Sequence, residues 1–556
     1  MSTFGIDLGT TYSCIATLDH NGNPSVIRNQ LEDRDTLASA VFFESPDNIV
    51  VGGAAKDMVE TDGNRVVQFV KREIGKADAR TYEYFGKTYN AVEISCLILR
   101  RLKAIAEEQG EQVDKVVITC PAYFGLEERN ATKTAGLAAG MEVLDLINEP
   151  TAAALAYCAG QFQEDRTIMV YDLGGGTFDV TIVNMTVVAD ENGNQAQKVR
   201  VLASGGNDRL GGKDWDDILY DHMVNACCDE NGLLPEDLDA ETRQEIRSKV
   251  EDTKMRLTNN QSAKVRISVN GSKTNISVSR AEFESMTAHL VAQTMTYVES
   301  VLGSVTVTPD LVLLVGGSTY MPMIRQAVEN RFPGQVQVHE PNRAVAMGAA
   351  ICANMLVIDE PIEPIPAPKP PVDESEDNTT VVTPEPGPTP VEQEPPRERQ
   401  KPKIILVDAA TRSFGPGVVI DGEYVIDNLI KLGDEMPALA VKTYGTMADN
   451  QPLIELRVFE NVSREDVVTP CVDGLGCAQP CDPADNVKLL GMLEMQLPPY
   501  TRKNSPIEVT FQLEASGIYV KAVNLSDGQM VETSIHFENE VEVDVRHISS
   551  LGVFGE

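Results

Sequence analysis

Apolar residues follow three regimes along this chain. Up to about residue 357, short continuous apolar runs such as VDKVVITC, RTIMVYD and PDLVLLVGG alternate with helical patterns over Ala91 to Gly110 and Ala240 to Asn259. That alternation predicts an α/β region large enough to be lobed. From Asp359 to Lys403 the pattern stops: thirteen of the 31 prolines fall between Pro361 and Pro402, among many acids and no aromatic residue. Such a stretch cannot bury enough surface to fold, and is expected to be an extended, partly polyproline spacer. Four apolar residues, Ile404 to Val407 in KPKIILVD, then appear abruptly. Beyond them the period changes to two, in LIELRVFEN, IEVTFQLEASGIYVKAV and VETSIHFENEVEVDV, which predicts an antiparallel β module of about 150 residues.

Length and composition agree with this division and remove some functions. At 556 residues and 42% apolar content the chain suits two or three folded units. A net charge of -37 repels phosphate backbones and anionic lipid, so neither nucleic acid nor membrane is expected as a partner. MSTFGIDLGT runs from Met directly into a strand-like segment with no signal-peptide pattern, and no apolar run approaches the roughly 20 residues that span a bilayer. A soluble, cytoplasmic protein is the expectation. Of ten cysteines, Cys14, Cys96, Cys120 and Cys352 lie alone in apolar segments and read as small buried hydrophobes. Cys471, Cys477 and Cys481 cluster in one loop, a candidate for zinc, redox chemistry or neither, because their spacing is not that of a usual zinc site.

The most informative pattern is an internal near-repeat, Gly5-Ile-Asp-Leu-Gly-Thr-Thr-Tyr-Ser-Cys14 and Tyr171-Asp-Leu-Gly-Gly-Gly-Thr-Phe-Asp179. Each is an apolar strand ending in Asp, a turn of Gly and Thr, and a second strand. Backbone N–H groups can approach phosphate oxygens at such a turn, where side chains would clash, and the Asp before it can hold Mg2+ through water. Two copies suggest two similar lobes gripping a nucleotide triphosphate from opposite sides. A third glycine turn, Leu314-Val-Gly-Gly-Ser-Thr319, sits where a base or ribose is usually bound.

With GIDLGTTYSC, PAYFGLEERNATKTAG, INEPTAAALAY, VYDLGGGTFDVTI, RLGGKDWDD, LVGGSTYMP and AVAMGAA in this order, residues 1–357 resemble the ATPase domain of the seventy-kilodalton heat-shock chaperones, the DnaK family. The resemblance implies an α/β, actin-like, two-lobed ATPase with slow ATP hydrolysis, using ATP/ADP and Mg2+, with K+ as a further candidate. It implies phosphate contacts from Thr10, Thr11, Tyr12 and the Gly174, Gly175, Gly176 turn, and Asp7, Asp172 and Asp179 around the Mg2+. Lys71 would hold the γ-phosphate and the attacking water, Glu149 would orient or deprotonate that water, and Asp172 and Thr177 complete the catalytic set. Phosphoryl transfer needs this charge neutralisation and an in-line water more than a strong base. Gly205, Gly206, Glu251, Lys254, Gly316, Gly317, Ser318, Tyr320 and Asn342 would surround the nucleotide, and Pro121 and Arg129 match a relay to the linker. Tyr320 replaces a family Arg, Asn342 and Arg343 replace an acidic pair, and Asn207 replaces an Asp. A shorter stretch between Lys71 and Pro121 implies a trimmed upper subdomain.

A weaker resemblance continues from Ile404 to about Val541, to the family's all-β sandwich substrate domain. It implies Val419 and Met447 at an arch over a bound peptide and Tyr444 and Ile454 near its pocket, while Pro416 stands where the family has an aliphatic residue lining the groove. Residues Ile404, Ile405, Leu406, Val407 and Asp408 match the family's docking linker. Asp145 stands where the family has an Arg near that linker, and Met355 to Asp359 forms a second apolar stub. The expected layout is 1–357 ATPase, 358–403 spacer, 404–545 β-sandwich and 546–556 tail, with no helical lid. Two functions follow: an ATP-dependent chaperone binding unfolded peptide, served by J-domain and nucleotide-exchange partners, or a nucleotide-switched protein binding one dedicated folded client. An actin-like filament or sugar kinase explains neither INEPTAAALAY nor the β module.

Overall fold

Two sheets with the same strand order build the first 358 residues. The computed structural model describes residues 2–76, 78–158, 164–189, 193, 195–269, 271–358, 403–407, 409–410, 412–470, 487–514, 517–536 and 543–555. In the first lobe the order is Glu142–Asn148, Lys115–Cys120, Thr3–Asp7, Tyr12–Leu18, Pro24–Val26. The second lobe runs Val336–Val338, Leu311–Val315, Arg166–Leu173, Phe178–Ala189, Gln195–Asn207. In both, the central strand is parallel to one neighbour and forms an antiparallel hairpin with the other. The near-repeat in the sequence is thus a repeat of topology, and this duplication is the actin-like arrangement expected. Strands such as LVLLV are buried along their whole length, which is why they read as continuous apolar runs rather than alternating ones.

Helices Glu149–Cys158 and Ala344–Ile358 pack against one another where the lobes join. Their approach is backbone to backbone: a Cβ on Gly348 would lie 1.7 Å from the carbonyl oxygen of Ala152. The expected helix over Ala240–Asn259 forms over those residues, with Asp239 capping Thr242. The one expected to Gly110 ends at Glu107, after starting at a capping box between Asn90 and Glu93.

The β module is a sandwich. One sheet runs Val467–Val468, Glu423–Asp427, Ser413–Ile420, Leu453–Asn461, Lys488–Gln496, the other Ala438–Gly445, Pro506–Glu514, Gly517–Asn524, Met530–His536. PIEVTFQLE alternates buried and outward residues, with Val509 and Phe511 in the core, so period two was a sound signal here.

Two segments differ from expectation. Ile404 to Val407 lie apart from the sandwich: Lys403–Val407 forms a sixth strand on the second lobe, parallel to Gln195–Asn207, with Ala196 opposite Lys403 and Arg200 opposite Val407. Ile404 and Leu406 share one face of that strand and pack against the apolar cluster that joins the two lobes. The expected tail at 546–556 is also corrected. Val545–Ser550 is a helix and Gly552–Phe554 a strand, and both belong to the first lobe, with Ile548 and Leu551 buried in its core. An I-x-x-L-G-V-F sequence has somewhere apolar to go. The spacer residues 359–402, Asp408 and the three clustered cysteines lie outside the described residues. No described helix is long and apolar enough to cross a membrane.

Candidate functional site

The two hairpin tips meet at the base of the cleft. Asp172 stands directly across its hairpin from Asp179, whereas Asp7 stands across from Cys14. Like charges opposite one another repel, and Asp179 is only 1% exposed. A counter-charge comes from Lys71, on the turn Val70–Arg72 and 5% exposed, whose Nζ donates to Glu149 Oε1. Glu149 opens a helix, where the backbone dipole favours a carboxylate. Burial works to lower the Lys71 ammonium, but Glu149 and Asp7 outweigh it and hold its pKa raised.

The carboxylates are under the opposite stress. Burial and the charge of Glu149 push Asp7 up to about 7, against Lys71 and a 3.3 Å hydrogen bond donated by Thr119. Asp172 and Asp179 are driven well above the usual carboxylate range by burial and then by Glu149. A raised acid pKa means that the folded protein holds protons that the unfolded chain would release. The stability from these protons is present below about pH 4 and is lost as pH rises through about 7. A divalent cation would replace those protons. Stabilisation by Mg2+ with ADP, beyond that by ADP alone, should therefore be larger at pH 8 than at pH 6, by roughly 2–4 °C for each kcal/mol of difference. Thermal unfolding at the two pH values tests this, and equal Mg2+ shifts would refute it.

The tips are shaped for a phosphate chain. A Cβ on Gly175 would lie 1.8 Å from Thr11 Oγ1 and one on Gly176 2.3 Å from Thr10 Cγ2, so only glycine lets the lobes approach this closely. Thr11 Oγ1 and Asp179 Oδ1 are buried without a hydrogen-bond partner, as expected of atoms awaiting a ligand. The Gly174 carbonyl accepts from Gly212 N at 3.0 Å and Ser318 Oγ at 2.8 Å, and Gly175 from Lys213 N at 2.8 Å. Thr177 is buried. Gly206 lies opposite Asp179 and Gly205 opposite Val180. Gly316 has φ 82, and a Cβ there would meet Leu173 O at 2.3 Å.

Around this core the lobes are bridged. Tyr12 OH donates to Glu251 Oε1 at 3.0 Å, and Lys56 Nζ reaches both Tyr12 OH, at 2.8 Å, and Glu251. Lys254 Nζ donates to Gly212 O and Asp216 Oδ2, each at 2.9 Å. A Cβ on Gly317 would stand 3.0 Å from Asn342 Oδ1. Tyr320 and Asn342 line a cavity of about 270 Å3 with Arg343, Glu340 and the loop Arg28 to Thr36. Arg72 was missed from the sequence. Its guanidinium donates twice to Gly176 O, at 2.9 and 2.6 Å, and once to Asp214 at 3.0 Å, clamping the second tip; adjacency to Lys71 was the available signal.

A family model described as Hsp70 protein matches residues 3–365. The Chaperone protein DnaK of Thermotoga petrophila is 33% identical over 559 residues, spanning 97% of this chain and 81% of its own length. The chain belongs to the Hsp70 family. As an Hsp70 it is an ATPase and an ATP-dependent chaperone, with ATP or ADP and Mg2+ as its cofactors. The site fits that group: the tips leave orphaned donors and acceptors, and the carboxylates need a cation. Among the described residues no three carboxylates stand close enough to ligate one ion directly. That suits Mg2+, which keeps several waters and takes the rest of its shell from phosphate.

In this Hsp70 the cleft is connected to the β module through the first lobe. Arg129 donates to Asn148 Oδ1 at 2.7 Å and to Leu146 O at 3.0 Å, bracing the strand that delivers Glu149. Pro121 ends the neighbouring strand and starts the turn that carries Tyr123. The Tyr123 carbonyl accepts from Arg412 of the β module at 2.8 Å. Leu126, three residues on, is buried in the β module's own core beside Phe414 and Leu456, and Lys488 pairs with Glu127. Asp145 lies beside Leu144, which packs in the cluster with Ile404 and Leu406; the charges facing Asp145 are Arg129 and Lys133, and burial raises its pKa. In the β module Tyr444 and Ile454 reach the core together, whereas Val419 and Met447 are 40% and 60% exposed. Tyr444 OH donates to the buried Asp427 at 2.7 Å, and Lys442 pairs with the same oxygen at 2.6 Å. Pro416 lies buried at the last pair between its strand and Val458.

Proposed function

We propose that ATP bound between the two hairpin tips controls capture of unfolded peptide by the β module. The observation that supports this reading is the contact of Arg412 in the β module with the Tyr123 carbonyl, on the turn that follows the strand Lys115–Cys120 beside the cleft. Thr10, Thr11, Tyr12 and Gly174 to Gly176 receive the phosphates; Asp7, Asp172 and Asp179 hold Mg2+ through water, with K+ as a second cation. When bound, Mg2+ supplies charge neutralisation at the phosphates. Lys71 places a positive charge beside the transferring group, Glu149 accepts a hydrogen bond from the attacking water, and Thr177 orients the terminal phosphate. Glu251, Lys254, Gly205, Gly206, Gly316, Gly317, Ser318, Tyr320 and Asn342 position the nucleoside. Pro121, Arg129 and Asp145, with the linker Ile404 to Asp408, carry the state of the cleft to the β module.

Peptide then lies under Val419 and Met447, with one side chain toward Tyr444 and Ile454. We further propose that no lid covers it, because Val545–Ser550 and Gly552–Phe554, the described elements after Met530–His536, are seated on the first lobe. A cytoplasmic setting with J-domain and exchange-factor partners completes the reading. A second reading, one dedicated folded client, is favoured by the buried Asp427 and by Pro416, which lacks the N–H that an extended peptide would accept from. Anisotropy of a labelled extended apolar peptide, with ATP and with ADP, separates the two. Binding several-fold tighter in ADP supports the chaperone reading; absence of binding in both states favours the client, and equal binding would eliminate nucleotide control.

A further inference from the structure

We infer that the first lobe carries a peptide-binding edge whose occupant is this chain's own segment Val543 to Gly555, and that this strap leashes the β module to the ATPase in every nucleotide state. The strap is seated by three independent kinds of contact. Gly552–Phe554 adds a parallel strand to the free edge of Asn48–Val51, with Gly552 opposite Asn48 and Phe554 opposite Val50. Ile548 and Leu551, 0% and 2% exposed, fill the lobe's main core beside the helix Ala91–Glu107. The backbone is held from the lobe as well: the Arg100 guanidinium donates to Ile548 O and, at 3.0 Å, to Leu551 O, while Glu93 Oε1 accepts from Asp544 N at 3.2 Å. An Arg fork spanning two carbonyls three residues apart reads a short helical turn and little else.

The occupant must be the segment in cis by reach. Seven residue steps separate His536, the last residue of the sandwich strand, from Val543, a span of at most roughly 25 Å when fully extended. Release of the linker strand Lys403–Val407 would therefore leave the β module unable to leave the first lobe. Asn48–Val51 pairs with Ala40–Phe43 on one side, and the strap fills its other edge. This inference is independent of whether the β module takes peptide or a folded client.

Hydrogen exchange and small-angle scattering of the full chain with Mg2+·ADP and with Mg2+·ATP test it. Amides of residues 548–554 should exchange at least tenfold slower than in an unstructured peptide with both nucleotides, and the radius of gyration should change little between them. The pair Ile548→Asp with Leu551→Asp should lose that protection and expand with ADP. Loss of protection in the unsubstituted protein with ADP would overturn the leash, as would a substituted protein of unchanged size in both states. A dimer by light scattering, dissociated by the double substitution, would show that the strap binds in trans and would overturn reach in cis. If the double variant fails to fold, the exchange measurement on the unsubstituted protein decides alone, and Arg100→Ala, which removes only the fork, should speed exchange of 548–551.

Discussion

Replacing Lys71 by Ala should lower ATP turnover by about 10²–10³-fold, the range for removing one preorganised charge from a water-excluded site, while ADP affinity changes much less. Lys71 is buried and its ammonium faces Glu149 and Asp7, so it is placed for charge that develops during transfer rather than for ground-state binding. The same substitution leaves Glu149, Asp7, Asp172 and Asp179 together without that charge. Breaking a buried ion pair typically costs about 3–5 kcal/mol, so the variant should also depend on Mg2+ for stability more than the unsubstituted protein does. Single-turnover kinetics separate the two effects. Unchanged turnover would refute the assignment; a parallel loss of ADP binding and turnover would indicate a folding defect, which Lys71→Met, keeping most of the volume, should reduce.

The pair Ile404→Asp with Leu406→Asp should detach the linker strand and change basal ATP turnover several-fold. Both side chains lie on the face that packs into the apolar cluster joining the two lobes, and an unpaired carboxylate there costs several kcal/mol. Ile405, on the opposite face, should matter less when replaced alone. Amides of 196–200, opposite the linker, should lose protection from exchange, and the Arg412 to Tyr123 contact should loosen. Leu356→Asp is the contrast: Leu356 is exposed at the end of its helix, so turnover should hold. If Leu356→Asp changes turnover and the double linker variant does not, coupling runs through the upstream stub.

What was legible in the sequence was local. Helix Ala240–Asn259 carries its reason within about twenty residues, as a cap and an apolar period, and the tips and the Gly316 turn show their glycines locally, although the atoms a Cβ would strike at Gly175, Gly176 and Gly316 belong to Thr11, Thr10 and Leu173, distant in sequence. Pairings distant in sequence were not legible. Nothing in IILVD states that its partner is Gln195–Asn207 rather than the sandwich, because a short apolar run suits either edge. Leu126 sits in the quoted PAYFGLEERN, yet its burial in another module's core depends on how two units dock, which periodicity does not encode. The Lys56, Tyr12 and Glu251 bridge and the Arg72 clamp were missed likewise, since their partners lie roughly 100 to 240 residues away.

The strand Gly552–Phe554 has a consequence for how the molecule is made. Its partner strand, Asn48–Val51, leaves the ribosome roughly 500 residues earlier, which at about 5–20 residues per second means some 25–100 s of synthesis. Throughout that time the first lobe has an open strand edge and an unfilled apolar pocket where Ile548 and Leu551 will sit, a combination that invites mispairing with other nascent chains. A protein whose family handles exposed chains thus exposes, during its own translation, the kind of surface that such a family attends to.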